Sequence, residues 1–127
     1  MKAFLAIKYY DDMRNKDKIE KICKSLEKMG IETFAFARNI QNYKKCTLIP
    51  DQIMNLAFKN IKSSDIFIID ASEVSIGIGI EAGYAYTHNI PIYVIADKDS
   101  EVSNSIKGIA KKFFTYIEPC DILNLNF

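Results

Sequence analysis

Neither sign of charge prevails in this sequence: 17 lysines and arginines stand against 16 aspartates and glutamates, a formal net charge of +1. No global field recommends DNA, RNA or an anionic membrane as partner, so any anion recognised has to be bound locally. Cysteine is scarce as well. Cys23, Cys46 and Cys120 are odd in number, widely spaced and never arranged as CxxC, which argues against a disulfide framework and against a zinc site. They read as reduced cytosolic thiols. His88 is the only histidine, and no acidic pair has the spacing of a metal site, so neither a metal nor a cofactor is expected. Long hydrophobic runs are missing too. The opening MKAFLAIKYYDD is far too short for a membrane span and turns acidic where a signal peptide would continue. Repeats, low-complexity stretches and linkers are absent. The expectation is one soluble cytoplasmic domain over residues 1–127 that takes a small molecule, with no nucleic acid polymer and no membrane as partner.

What is present is apolar sequence in short blocks, within a hydrophobic content of 49%. Ala3–Ile7 and Ile66–Ile69 are continuous β-branched and aromatic runs, the pattern of strands buried on both faces of a parallel sheet. Pro91–Ile95 and Phe113–Ile117 read as further strands, and Ile31–Ala37 as a strand nearer an edge. Between them lie helical stripes. Ile19, Ile22, Cys23, Leu26 and Met29 share one face of a helix capped at Asn15 or Asp17 and stopped at Gly30. Ile53, Met54, Ala57, Phe58 and Ile61 mark another that starts at Pro50. A helix over Gly79–Thr87 and a short one over Asn104–Lys112 complete the series, and Arg38–Leu48 is a polar loop. Strands alternating with helices predict an α/β fold: one doubly wound, flavodoxin-like or Rossmann-like domain with a five-stranded parallel sheet, order 2-1-3-4-5.

In such sheets ligands bind beyond the carboxyl ends of the strands. Asp70 ends the Ile66–Ile69 run there, and the glycine-rich stretch Gly77-Ile-Gly79-Ile-Glu81-Ala-Gly83 follows. It matches the dinucleotide fingerprint G-x-G-x-x-A only on paper. Several residues separate it from the strand, and Glu81 in the first helical turn would repel a pyrophosphate. The other reading is that Gly77 and Gly79 let a sugar or base approach the backbone while Glu81 points its carboxylate into the pocket. A carboxylate so placed suits substitution at an anomeric carbon, where it stabilises an oxocarbenium-like transition state or forms a covalent glycosyl intermediate. The plain alternative is a carboxylate complementing the helix dipole.

The run SSDIFIIDASEVSIGIGIEAGYAY resembles the signature of the nucleoside 2-deoxyribosyltransferases and the related deoxynucleoside 5'-monophosphate N-glycosidases, a strand followed by G-x-G-x-E-x-G-Y/R-A. The resemblance covers about the middle quarter of the chain. It implies that Glu81 attacks C1' of a nucleoside or nucleotide and expels the base. It sets Ser75 where the nucleotide hydrolases place a phosphate-binding serine and the transferases an acidic residue, which favours a 5'-phosphate. It also implies a homo-oligomer, an expectation to which the apolar tail ILNLNF adds. Two departures stand out. The aspartate these families carry about two turns before the motif strand falls on Ala57, and their first-strand tyrosine and small glycine-containing loop are replaced by Phe4 and Ile7-Lys8-Tyr9-Tyr10. By position, Asp70 or Tyr9 is the candidate substitute for the missing acid, and Lys8 is a candidate phosphate contact.

The N-terminal half is also similar to the opening of TIR domains, which implies a NAD glycohydrolase as the alternative activity. A nucleotide-binding sensor without turnover is the third reading, supported by the missing aspartate. Other polar residues are assigned quieter parts. His88 is expected to cap its helix, at most one of Tyr84 and Tyr86 can pack on the sheet, and Asp11, Asp12, Asp97 and Asp99 line loops at the carboxyl edge.

Overall fold

The computed structural model describes residues 1–127. The strands are β1 (Lys2–Ala6), β2 (Glu32–Ala35), β3 (Ile66–Asp70), β4 (Ile92–Asp97) and β5 (Lys112–Tyr116). They form one sheet in the order β2-β1-β3-β4-β5, and every neighbouring pair is parallel, as the alternation of strands and helices predicts. β3, with all five residues buried, lies at the centre, and the sparsely buried β5 lies at an edge. Their burial follows from position, since a central strand of a parallel sheet is covered on both faces.

Alternation along the strands sorts the core into two halves. Ala3, Leu5, Ile66, Ile68, Tyr93 and Ile95 face α1 (Lys16–Lys28), whose Ile19, Ile22, Cys23 and Leu26 are buried against them. Phe4, Ala6, Phe67, Ile69, Ile92 and Val94 face the opposite layer, built by α3 (Pro50–Lys62), α4 (Ile76–Thr87) and the short α5 (Asn104–Ile109). On that side Phe4 packs between Phe34 and Phe67 with ring centroids 5.4 Å from each. Such aromatic pairs contribute about 0.5–1.5 kcal/mol each beyond area burial. α1 closes at Gly30, whose φ of +79° is the left-handed conformation that ends a helix cheaply only in glycine. α3 opens on Pro50, and the Gln52 side chain accepts the Ile49 N–H at 3.2 Å.

Four boundaries differ from the sequence reading. β2 stops at Ala35, because the Asn39 side chain accepts the Ala35 N–H at 2.9 Å and the chain turns into α2 (Phe36–Asn39). The loop expected over Arg38–Leu48 therefore begins with a helical turn, and Arg38 leaves it to pair with Glu20 and Glu27 of α1. α4 starts at Ile76, three residues before Gly79, because Ser75 caps it by accepting the Ile78 N–H at 3.4 Å. α5 ends at Ile109, and β5 begins at Lys112. The apolar tail also has another destination than a partner chain. Pro119–Asn124 forms a 3-10 turn whose Ile122 is fully buried against α1, and Leu125 and Phe127 pack on the same core. The tail completes the core of its own chain and lends no support to an oligomer. No helix is long and apolar enough to cross a membrane.

Candidate active site

Two cavities open at the carboxyl edge of the sheet, one on each side of it. The first, about 340 Å³, lies on the α3–α4 side, between the end of β1, α2 and the start of α4. Its floor and one wall are apolar: Phe4, Ala6, Phe36, Ile53, Met54, Ala57 and Ile78. Its polar side chains are few, Lys8 and Tyr9 from the loop after β1, Ser75 from the cap of α4 and Glu81 from α4 itself. The sequence candidates Lys8, Tyr9, Ser75, Gly77 and Glu81 thus meet around one space. Gly77 lines it in the first turn of α4, where a side chain would take up cavity volume.

Gly79 does not line the cavity. It stands on the exposed outer side of α4, and a Cβ there would meet nothing within 4 Å. Both glycines belong to α4, which starts at Ile76, and residues two apart on a helix face different directions, so Gly77 lines the cavity and Gly79 does not. The early start of α4 carries Glu81 out of the first turn into the second, beyond the reach of most of the helix dipole. The dipole-complementing role considered for Glu81 thereby loses its ground. So does the objection to an anion at this helix start, because the first-turn amides of α4 carry no acidic neighbour in that turn.

Glu81 itself is partly buried and makes no hydrogen bond or ion pair with another side chain. Burial among apolar groups pushes its pKa up from the ordinary 4.5 to about 7. Nothing offsets that cost from within the chain. A carboxylate held in an apolar cavity without a partner is the arrangement in which functional acids and nucleophiles are found.

Asp70 occupies the other side of the sheet. Its side chain points towards α1 into the second cavity, about 280 Å³ and mostly polar, lined by Asn15, Lys18, Ser72, Asp97 and others. There it is engaged. The Tyr116 hydroxyl donates to Asp70 Oδ2 at 2.6 Å, the Ser72 N–H donates to Oδ1 at 3.0 Å, and Lys18 Nζ lies 3.5 Å away. Lys18 also donates to Asp97 at 3.1 Å. Burial works against the Lys18 charge, but Asp70, Tyr116 and Asp97 outweigh it and hold its pKa above the usual lysine range. Burial first and then Asp70 raise that of Tyr116. Period-2 alternation is what separates Asp70 from Glu81: it continues the face of Ile66 and Ile68, whereas the first cavity lies over the face of Phe67 and Ile69. Asp70 is thus not in the cavity where a substitute for the missing aspartate would be needed.

The loop after β1 forms the ridge between the two spaces. Lys8 borders both and pairs with Glu73 at 3.6 Å, and its carbonyl accepts the Asn15 side-chain amide. Asn15 is the N-cap residue of α1, as expected, but its side chain serves this loop instead of the helix. Tyr9 is 37% exposed, with its hydroxyl 3.5 Å from the Gln41 amide. His88 ends α4 with Nδ1 2.8 Å from the Tyr84 carbonyl and its ring on Tyr84. Tyr84 packs on Phe58, while Tyr86 faces out. The wall built by Phe36, Ile53 and Met54 went unrecognised in the sequence, because its helical spacing is also that of an ordinary core stripe.

No family model matches the chain. Among curated proteins it is similar to one from Thermofilum pendens named "Putative 2'-deoxynucleoside 5'-phosphate N-hydrolase 1", at 23% identity over 126 residues, 96% of this chain and 87% of that protein. Among solved structures it is similar to the Clostridium botulinum CMP N-glycosidase, with a TM-score of 0.70, 22% identity, and coverage of 98% of this chain and 95% of that one. A 2-deoxyribosyltransferase from Bacillus psychrosaccharolyticus gives a TM-score of 0.79 at 17% identity, covering 100% of this chain and 93% of that one. The resemblance read from the glycine-rich stretch alone therefore extends along the whole chain. At these identities the solved structures establish the shared fold.

The raised pKa of Glu81 has a consequence for stability. The folded chain holds its proton to about pH 7 while the unfolded chain releases it near 4.5, so the contribution of Glu81 to stability is most favourable below 4.5 and declines as pH rises to 7. For a partly buried group the loss is on the order of 2 kcal/mol. Glu81→Gln is expected to remove that decline and to be the more stable protein at pH 8, by denaturant unfolding across pH 4–8. Equal stability at pH 8 would mean that Glu81 is hydrated.

Proposed function

We propose that this chain cleaves the N-glycosidic bond of a nucleoside 5'-monophosphate with Glu81 as the nucleophile. The observation that carries the proposal is the unpartnered Glu81 carboxylate in an apolar cavity, beside a serine-capped helix start with no acidic residue in its first turn. The activity named for the Thermofilum pendens relative and for the Clostridium botulinum glycosidase supports the reaction class, cleavage or transfer at this bond. The helix start favours the phosphate. Ser75 accepts the Ile78 N–H, which leaves its own hydroxyl hydrogen for a phosphate oxygen, and the amides of Ile76 and Gly77 add donors. Lys8, across the mouth, supplies a positive charge.

In this reading Glu81 Oε attacks C1' as the C1'–N bond breaks, and the bonding pair leaves with the base. Water then attacks C1', releases the carboxylate and yields the sugar 5'-phosphate. Hydrolysis is preferred over transfer because the cavity offers no polar group on its α3 wall to hold a second base. The three free cysteines favour a reducing, cytoplasmic setting.

We further propose a homo-oligomer, resting on the outer face of α4. This helix is apolar nearly all round, and Ile76 and Ile80 are 85% and 50% exposed on it. A helix of that kind is normally covered. Light scattering at micromolar concentration is expected to give a dimer or larger species, and a monomer contradicts this part of the proposal.

The test of the activity is a panel of deoxynucleosides, nucleoside and deoxynucleoside 5'-monophosphates, and NAD, with released base measured by chromatography. Monophosphates should be cleaved and unphosphorylated nucleosides much less, with kcat/KM falling as pH drops below about 7, where Glu81 takes up its proton. Glu81→Gln should lower kcat by about 10³-fold or more, on the order of 4 kcal/mol, with ligand binding retained. Base released from NAD alone would favour the TIR-like activity, and binding without release a sensor. A Glu81→Gln protein that keeps most of its turnover removes the mechanism.

A further inference from the structure

The wall of the first cavity away from α4 is apolar: Phe4, Phe36, Ile53, Met54 and Ala57. No carboxyl, imidazole or amide stands on it. Of the two protic side chains on the loop after β1, Lys8 is assigned above to the phosphate, and Tyr9, 37% exposed at the mouth, has its hydroxyl accepting from the Gln41 side-chain amide at 3.5 Å. With the sugar phosphate held at the helix start by Ser75, the leaving base has this wall as its remaining surroundings.

An ordinary purine or pyrimidine is a poor fit to such surroundings. If it departs without gaining a proton, it departs as an anion, and an apolar wall raises the energy of a developing negative charge. The opposite holds for a ring that starts as a cation. Its charge disappears as the bond breaks, so an apolar wall favours the product side and the transition state leading to it. Phe4 and Phe36 also offer aromatic surface to such a ring, in which a planar cation is tolerated before it reacts.

We propose, resting on the glycosidase reading above, that the preferred substrate is the 5'-monophosphate of an N-ribosylpyridinium, in which the glycosidic nitrogen is already quaternary. Glu81 Oε bonds to C1' while the C1'–N bond breaks. The bonding pair stays on the ring nitrogen and cancels its charge, and a neutral pyridine leaves with no proton taken up. Water then adds to C1', expelling Glu81 as carboxylate, and the proton lost by the water passes to solvent. No group in the chain has to act as an acid.

The experiment compares nicotinamide mononucleotide with CMP, dCMP, dAMP and dGMP on the wild-type protein. The expected result is a kcat/KM for the pyridinium substrate about tenfold or more above that for any neutral base, with no loss of rate on its alkaline limb. Ala57→Asp, which sets a carboxyl group on the apolar wall, is expected to raise cleavage of the neutral bases relative to the pyridinium by about tenfold or more. Ala57 is buried, so the wild-type comparison decides the matter if that variant does not fold. Cleavage of the neutral monophosphates at an equal or higher kcat/KM overturns this inference and leaves the glycosidase reading standing. Cleavage of neither class overturns both. A folded Ala57→Asp protein with an unchanged ratio also counts against it.

Discussion

A carboxylate kept partly out of water, with no partner of its own, is the constraint to which the rest of this structure answers. Desolvating Glu81 costs stability, and only a rigid frame can hold it there. The frame is a helix pinned at its start by the Ser75 cap and along one side by Ile78, Ala82 and Ala85 buried on the sheet. The aromatic stack of Phe4, Phe34 and Phe67 then fixes the floor beneath it.

The parallel sheet makes a second polar space unavoidable, because its carboxyl edge is open on both faces. On the α1 side that space is filled by mutual satisfaction. Asp70, Lys18, Tyr116, Ser72 and Asp97 bond to one another, joining β3, β4, β5 and α1 at one point. A buried charge pair of this kind adds little net stability by itself, yet removing either partner leaves the other uncompensated. The two faces of the sheet edge thus hold opposite electrostatic solutions: a paired network on one side and an unpaired carboxylate on the other.

The element order and strand order were legible because continuous apolar strands separated by amphipathic helices admit few topologies. The place of Glu81 at a cavity was legible as well, through the glycine-rich stretch that points it to the carboxyl edge of the sheet. Asp70 misled for a specific reason. Its place at the end of a central strand is visible in the sequence, but whether it looks towards α1 or towards α4 depends on which face each helix covers, and chain order alone does not carry that. Gly79 misled because the sequence starts its helix at Gly79 itself, whereas the Ser75 cap starts it at Ile76, so that Gly77 and Gly79, two apart on one helix, face different sides. The tail ILNLNF was legible as apolar but not as core, since the receiving surface on α1 lies about a hundred residues upstream and is assembled only by the fold.

The central claim is that Glu81 forms a bond to C1' before water does, and the configuration of the product reports on it most directly. With methanol added to the reaction, two displacements at C1' return the methyl glycoside 5'-phosphate in the same β configuration as the substrate, whereas direct attack by solvent inverts it. Proton NMR of the methyl glycoside separates the two. The account predicts the β product, absent with Glu81→Gln. An α-configured product from the wild-type protein would contradict it.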